Sequence, residues 1–405
     1  MLIAAACFAV LFLAFRIAYP PVFKPRLAIV TIELETPGGP LPFALSLLHR
    51  DGSVTSLTVN KCQEVRFSQD NTTLTLHFDA YESELTLQGN LPSGLLQGKW
   101  TKTRGENQAV LAARSKPTTG LFDPIPDAGD PAPFAGRWSV DFSSTDDPAV
   151  GVFEVDANQI AAGTFLTTTG DYRYLAGRVD GDLMRLSTFD GAHAFLFHAR
   201  MQEDGSISGD FWSGNWHHET WTAVRDDNAR LPDAFAQTTV ADAAALDDLV
   251  FKALDGTPTK VTDLLDASGA KARIIEVFGS WCPNCADAGA EMRRLKDTFG
   301  DDLAIVGLAF ERTEDFARSA KQVRTYTDRF NADWPVLIAG LSDKAKASAE
   351  LPILDKVRAY PTTIFLNADN EIVAVHTGFN GPATGDEHTK QRAEFERIIR
   401  ELIAE

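Results

Sequence analysis

The five residues Trp281-Cys282-Pro283-Asn284-Cys285 restrict what this chain can fold into more than any other stretch. They follow the apolar run Ile274 to Phe278 and open an amphipathic stretch, which places two thiols where a strand hands over to a helix. At a helix start the first cysteine meets unpaired backbone N–H groups and the positive end of the helix dipole, and both stabilise a thiolate. The thiolate is the attacking species in disulfide exchange. The second cysteine, three residues on, lies one helical turn away and can close on the first to release a partner held in a mixed disulfide. The expectation is a redox pair in which Cys282 is the exposed, low-pKa thiol and Cys285 the shielded one.

Only two other cysteines occur, Cys7 and Cys62, so no disulfide framework competes for the pair. A structural zinc site needs four ligands, usually from two such pairs. Haem attachment needs a histidine after the second cysteine, where this chain has Ala286. No metal or organic cofactor is implied. Cys62 reads as a small buried hydrophobe on a strand, and His217-His218, as strand neighbours, face opposite ways, which argues against a metal pair. The formal charge of −18 argues against nucleic acid, whose phosphates are bound by basic patches.

A chain of 405 residues suggests two or three domains. Leu2 to Phe15 is uninterrupted apolar sequence, followed by Arg16, a short apolar run and Pro20-Pro21. Residues 1–26 are therefore expected to be an export signal or membrane anchor, with the protein in the cell envelope on the periplasmic side, anchored or secreted. Residues 27–230 read as an all-β domain, an antiparallel meander, barrel or sandwich. Alternation is clear in Leu74 to Phe78 and Trp138 to Phe142, and Asp51-Gly52, Asp180-Gly181, Asp190-Gly191 and Asp204-Gly205 mark hairpin corners. The domain splits near a Pro-rich stretch, residues 116–133, into halves that echo each other: Leu95 to Trp100 resembles Ile207 to Trp212. One barrel from two related halves and two small β units both fit. Trp100, Trp138, Trp212, Trp216 and Trp221 are expected in its core and not around a ligand. An Ala- and Asp-rich linker, 231–248, leads to an α/β domain with a mixed sheet, 249–405, in which strand-like and helical stretches alternate.

Within that last region the Trp-Cys-x-x-Cys at 281–285, Tyr360-Pro361-Thr362-Thr363 ahead of a strand, and a helical insertion after Phe310 resemble the TlpA/ResA type of exported thiol-disulfide oxidoreductase, which has a thioredoxin-like fold. The resemblance covers about two-fifths of the chain. It implies that Cys282 is the nucleophile and Cys285 the resolving thiol, and that Pro361 takes the place of the family's cis-proline, opposite the disulfide and presenting backbone to an extended substrate. A cis bond comes at modest cost only before proline. Tyr360 would shape the substrate groove, with Trp281 and Pro283 also lining it. The resemblance further implies protein disulfide substrates, exported apocytochromes among them, and a membrane or thioredoxin-like electron donor.

Glu276 interrupts an apolar strand six residues before Cys282. Burial there would raise its pKa and make it a proton acceptor for the resolving thiol, a role the resemblance also implies. With Ala288 three residues after the second cysteine, Glu276 is expected to be the only buried acid available. A peroxiredoxin-like peroxidase is the rival enzyme, but it needs Thr or Ser three residues before its reactive cysteine, and Gly279 stands there. The non-enzymatic rival is an envelope binding protein with a redox-sensing Cys pair. Uncharged Pro283 and Asn284 between the cysteines point to a reductant.

Overall fold

The computed structural model describes residues 26–404, apart from 51–52, 61–62, 71, 90–94, 105–106 and 118–119. The expected anchor up to residue 25, Cys62 and the Asp51-Gly52 corner lie outside the described residues.

Two-residue alternation builds the N-terminal half. In Asn107–Lys116, Ala109, Leu111, Ala113 and Ser115 are buried and the residues between them exposed, as in a strand with one face on a core. The strands from Arg26 to Lys116 form one antiparallel sheet, in which the first, Arg26–Thr36, pairs with both the second, Gly39–Arg50, and the last. The two ends of the strand order, Gln63–Glu64 and Arg66–Asp70, are consecutive in the chain, and Val65 N–H extends the pairing of the former with Ser53–Val59 by reaching Leu57 O at 3.2 Å. A second sheet, from Gly136–Phe142 to His217–Arg225, repeats the plan: its first strand pairs with its second and its last, and pairing of Ala149–Val155 with Ile160–Thr167 closes it into a barrel. Of the two arrangements open to the sequence, two β units is the one found. The echoing segments are the penultimate strands of the two sheets, Leu96–Arg104 and Ile207–Ser213.

Barrels of this size have interiors that side chains can fill. Phe165 packs on Phe142, Phe153, Phe197 and Trp221 at centroid distances of 4.7–5.3 Å. Trp100, Trp138 and Trp221 are buried as expected, whereas Trp212 and Trp216 are only half-buried. These two pack against the core of the first barrel from the second. The Asp190-Gly191 hairpin plugs the same core. Phe189 stacks on Phe43 at 4.3 Å and meets Trp100 edge-on at 5.3 Å, while Ser83, Asn60 and Lys102 donate to hairpin carbonyls.

Residues 231–248, expected as a linker, are laid onto the C-terminal domain. Thr238 is buried and accepts from Thr377 Oγ1 at 2.8 Å, Ala241 N–H reaches Ile353 O, and Phe235 stands edge-on to His376. Apolar and hydroxyl side chains interspersed among its Ala and Asp residues give it this anchorage. The C-terminal sheet is mixed, in the order Pro258–Lys260, Val250–Ala253, Val336–Leu341, Leu303–Glu311, Ala272–Phe278, Thr362–Leu366, Ile372–Thr377. The three strands at its centre run parallel. Ala272–Phe278 and Leu303–Glu311 are buried along their whole length, which explains their unbroken apolar runs. Helices Pro283–Phe299, Phe316–Phe330 and Asp386–Ala404 cover the sheet. Among the described residues no helix is long and apolar enough to cross a membrane.

Candidate active site

Ala272–Phe278 ends beneath the turn that carries the cysteines. Cys282 is the N-cap of the helix Pro283–Phe299, and Pro283, which has no N–H to satisfy, stands in the first turn. Cys285 N–H donates to Cys282 Sγ at 3.3 Å, and the Cys282 thiol reaches Tyr360 O at 3.5 Å. Burial alone would raise the Cys282 pKa, but hydrogen bonds from Cys285 and the N–H groups of 284 and 285, with the charge of Arg173, carry it below the ordinary thiol value. Cys285 is pushed well above it, by burial and by its hydrogen bond to Cys282. The expected asymmetry is present, but exposure is not its source: Cys282 is only 7% exposed and Cys285 fully buried. The second barrel approaches the turn beside the first thiol, at Asn284 and Asp287.

The Tyr360–Pro361 bond is cis, and Tyr360 meets the Trp281 ring edge-on at 5.7 Å. Trp281 Nε1 donates to Phe310 O at 2.9 Å, and the Arg312 guanidinium lies 4.4 Å over the indole. Glu276 is 1% exposed, and its Oε1 has no partner among the described residues. Burial, with the nearby Cys282, pushes its pKa up to about 8. Contrary to expectation it is not the only buried acid. Glu311, at the end of the neighbouring strand, is equally buried and accepts from Ser280 N–H at 2.9 Å and Ser280 Oγ at 2.8 Å. Burial raises it to about 7 against those bonds. The apolar run before Glu311 was visible in the sequence, but its register against Ser280 was not.

The residues that sequence reasoning missed come mostly from the second barrel. Its loop 167–173 rests on the cysteine turn: a Cβ on Gly170 would fall 1.8 Å from Asn284 Nδ2, so only glycine allows this approach. Asp171 accepts from Gly381 N–H at 2.6 Å, and its other oxygen holds Arg173 N–H at 2.7 Å. Arg173, half-buried, pairs with Asp287, two residues beyond Cys285, and with Asp190 of the plugging hairpin. Further along, Tyr326 Oη donates to Cys285 O at 2.6 Å.

A mixed sheet with a cysteine pair at the head of the helix after a central strand, and a cis-proline facing it, defines a thioredoxin-fold dithiol–disulfide exchanger. No family model matches the chain. It is 30% identical over 131 residues to the thioredoxin-like protein YneN of Bacillus subtilis, covering 32% of this chain and 68% of that one. It is 26% identical over 134 residues to the thiol-disulfide oxidoreductase ResA of Halalkalibacterium halodurans, covering 32% of this chain and 65% of the relative. A solved thioredoxin family thiol:disulfide interchange protein from Chlorobium tepidum aligns over 43% of this chain and 99% of its own, at 19% identity and a TM-score of 0.28. The chain belongs to the thioredoxin-like thiol-disulfide oxidoreductases and is an enzyme of that class.

Proposed function

We propose that this protein is a TlpA-like disulfide reductase of the cell envelope, working on the outer side of the membrane with its N-terminal segment as tether. Cys282 thiolate attacks one sulfur of a substrate disulfide, and the other sulfur leaves as a thiolate that takes a proton. Cys285 then loses its proton to Glu276 and attacks Cys282 Sγ, releasing the second substrate thiol. The substrate gains two electrons and the enzyme is left as the Cys282–Cys285 disulfide, to be reduced again by a membrane or thioredoxin-like dithiol donor. The observation that carries this reading is the asymmetry of the pair, with a stabilised sulfur at the helix start and a fully buried thiol directly behind it. Neutral Pro283 and Asn284 favour the reducing direction. The export assignment rests on the apolar run Leu2 to Phe15.

The test is mixed-disulfide trapping. Cys285→Ser should accumulate covalent complexes with disulfide-bearing proteins, while Cys282→Ser should not; the reverse pattern would exchange the two roles. Equilibration with glutathione should give a potential nearer thioredoxin's, about −270 mV, than DsbA's, about −120 mV. A value above about −180 mV would make the protein a disulfide donor.

A further inference from the structure

Trp281 and Pro283, the residues on either side of Cys282, face a cavity of about 650 Å³ whose C-terminal wall they share with Arg312 and Ser342 and whose remaining walls come from the two barrels. Asn107 and Gln108 belong to the first barrel, and His193, Asn215 and Trp216 to the second. A second lobe of about 490 Å³ shares His193 and Trp216 and runs from the mouth of the second barrel to Asn284, between the cysteines. The enclosure is bolted together. Arg318 makes a two-pronged pair with Glu82 at 2.8 and 2.7 Å, Arg173 pairs with Asp287, and Arg358 with Asp147.

The cavity lies against Trp281 and Pro283, which flank Cys282. A folded protein surface is far broader than a cavity of this size, which suits ligands of drug-like dimensions. A single extended strand of polypeptide fits. The lining suits one as well: amide and hydroxyl groups of Asn107, Gln108, Asn215 and Ser213 can pair with peptide N–H and C=O groups, and two indoles offer flat apolar faces. Two buried polar atoms at the site, Asn284 Oδ1 and Tyr360 Oη, have no partner among the described residues. Asn284 lies between the two cysteines, and the Tyr360 carbonyl is the group that the Cys282 thiol reaches.

Building on the reductase reading, we infer that the two barrels form a selectivity chamber which admits disulfides carried on unfolded, extended segments of protein and excludes those on folded surfaces. The experiment offers one disulfide, a glutathione-capped cysteine, in two settings: on a short unstructured peptide and on the surface of a stably folded protein. Stopped-flow single turnovers of the reduced full-length chain should run at least about tenfold faster on the peptide, after normalising both rates to those with free dithiothreitol. Gln108→Trp and Asn215→Trp, which fill the cavity from the first and the second barrel, should each slow the peptide reaction more than they slow labelling of Cys282 by methyl methanethiosulfonate. Equal normalised rates on peptide and folded protein overturn the inference, as does a peptide rate that neither substitution changes. Failure of methyl methanethiosulfonate to label Cys282 in the unsubstituted chain would instead count against the reductase reading itself.

Discussion

Glu276 is a buried carboxyl with no counter-ion among the described residues, and that sets its pH behaviour. Its pKa in the folded protein is about 8, against 4.5 for the free group. Below pH 4.5 it is neutral whether the chain is folded or not; above that, the unfolded chain releases its proton while the folded one keeps it until about pH 8. Stability therefore falls as pH rises through this window, and Glu276→Gln should stabilise the reduced protein at pH 7 by on the order of 3 kcal/mol, with little gain at pH 4. Denaturant melts at the two pH values read this directly, and an equal gain at both would deny Glu276 a raised pKa. The same substitution should slow release of the mixed disulfide by about ten- to a thousandfold, and it should abolish a rise of that rate with pH centred near 8. Arg173 acts on the other thiol. Arg173→Met removes the cation that favours the Cys282 thiolate and leaves Asp287 without its partner, so the pH midpoint of Cys282 alkylation should rise by about one pH unit, with Arg173→Lys restoring part of it. A fall in stability with an unmoved midpoint would reduce Arg173 to a strut. Of these two residues only Glu276 was legible in the sequence, because it breaks an apolar run; Arg173 lies 109 positions before Cys282 in an ordinary polar turn, and nothing local marks it.

The helix that begins at Cys282 shows what periodicity does and does not reveal. Ala288, Met292, Leu295 and Phe299 recur at spacings of four, three and four, which reads as one buried face; the first three are buried, while Phe299 is half-exposed under the Arg400 guanidinium. Turn chemistry was equally readable: Gly181, Gly191 and Gly205 all have positive φ, as the Asp-Gly corners require. That the Asp190-Gly191 corner would plug another barrel was not readable, because tertiary docking leaves no period in the sequence. Gly289 was silent for a related reason. A Cβ there would lie 2.4 Å from Tyr326 Oη, so the absence of a side chain lets Phe316–Phe330 approach closely enough for Tyr326 to hold Cys285 O. Gly289→Ala should push the tyrosine away and destabilise the fold by about 1–3 kcal/mol despite the better helix propensity of alanine. Thermal melts of the variant beside Tyr326→Phe would separate overpacking from the lost hydrogen bond. A stabilised Gly289→Ala would show that the two helices can part without cost.

At the scale of the whole molecule, charge pairs join both barrels to the C-terminal domain that carries Cys282. The first barrel touches the C-terminal domain through the turn at Tyr81 and Glu82, where Arg318 grips the Glu82 carboxylate and Arg329 donates to Tyr81 Oη at 3.2 Å. The second adds Asp147 to Arg358, a pair with both side chains partly exposed. Partly exposed pairs contribute at most about 1 kcal/mol each. Glu82→Gln with Asp147→Asn should therefore weaken the closed arrangement by up to about 2 kcal/mol, which multiplies the population of any open form by roughly 5 to 30. Neither residue touches a cysteine, so the intrinsic nucleophilicity of Cys282 should be unaltered and only access to it should change. Iodoacetamide labelling of Cys282 and amide exchange of the 281–285 turn should both accelerate by that factor, and reduction of disulfides on folded proteins should gain more than reduction on unfolded peptides. Raising the ionic strength should move the unsubstituted protein the same way, since screening weakens these pairs. If labelling and exchange in the double variant match those of the unsubstituted chain at low salt, these two pairs do not hold the barrels against the C-terminal domain, and control of access would have to be sought in the contacts of the 167–173 loop with the cysteine turn.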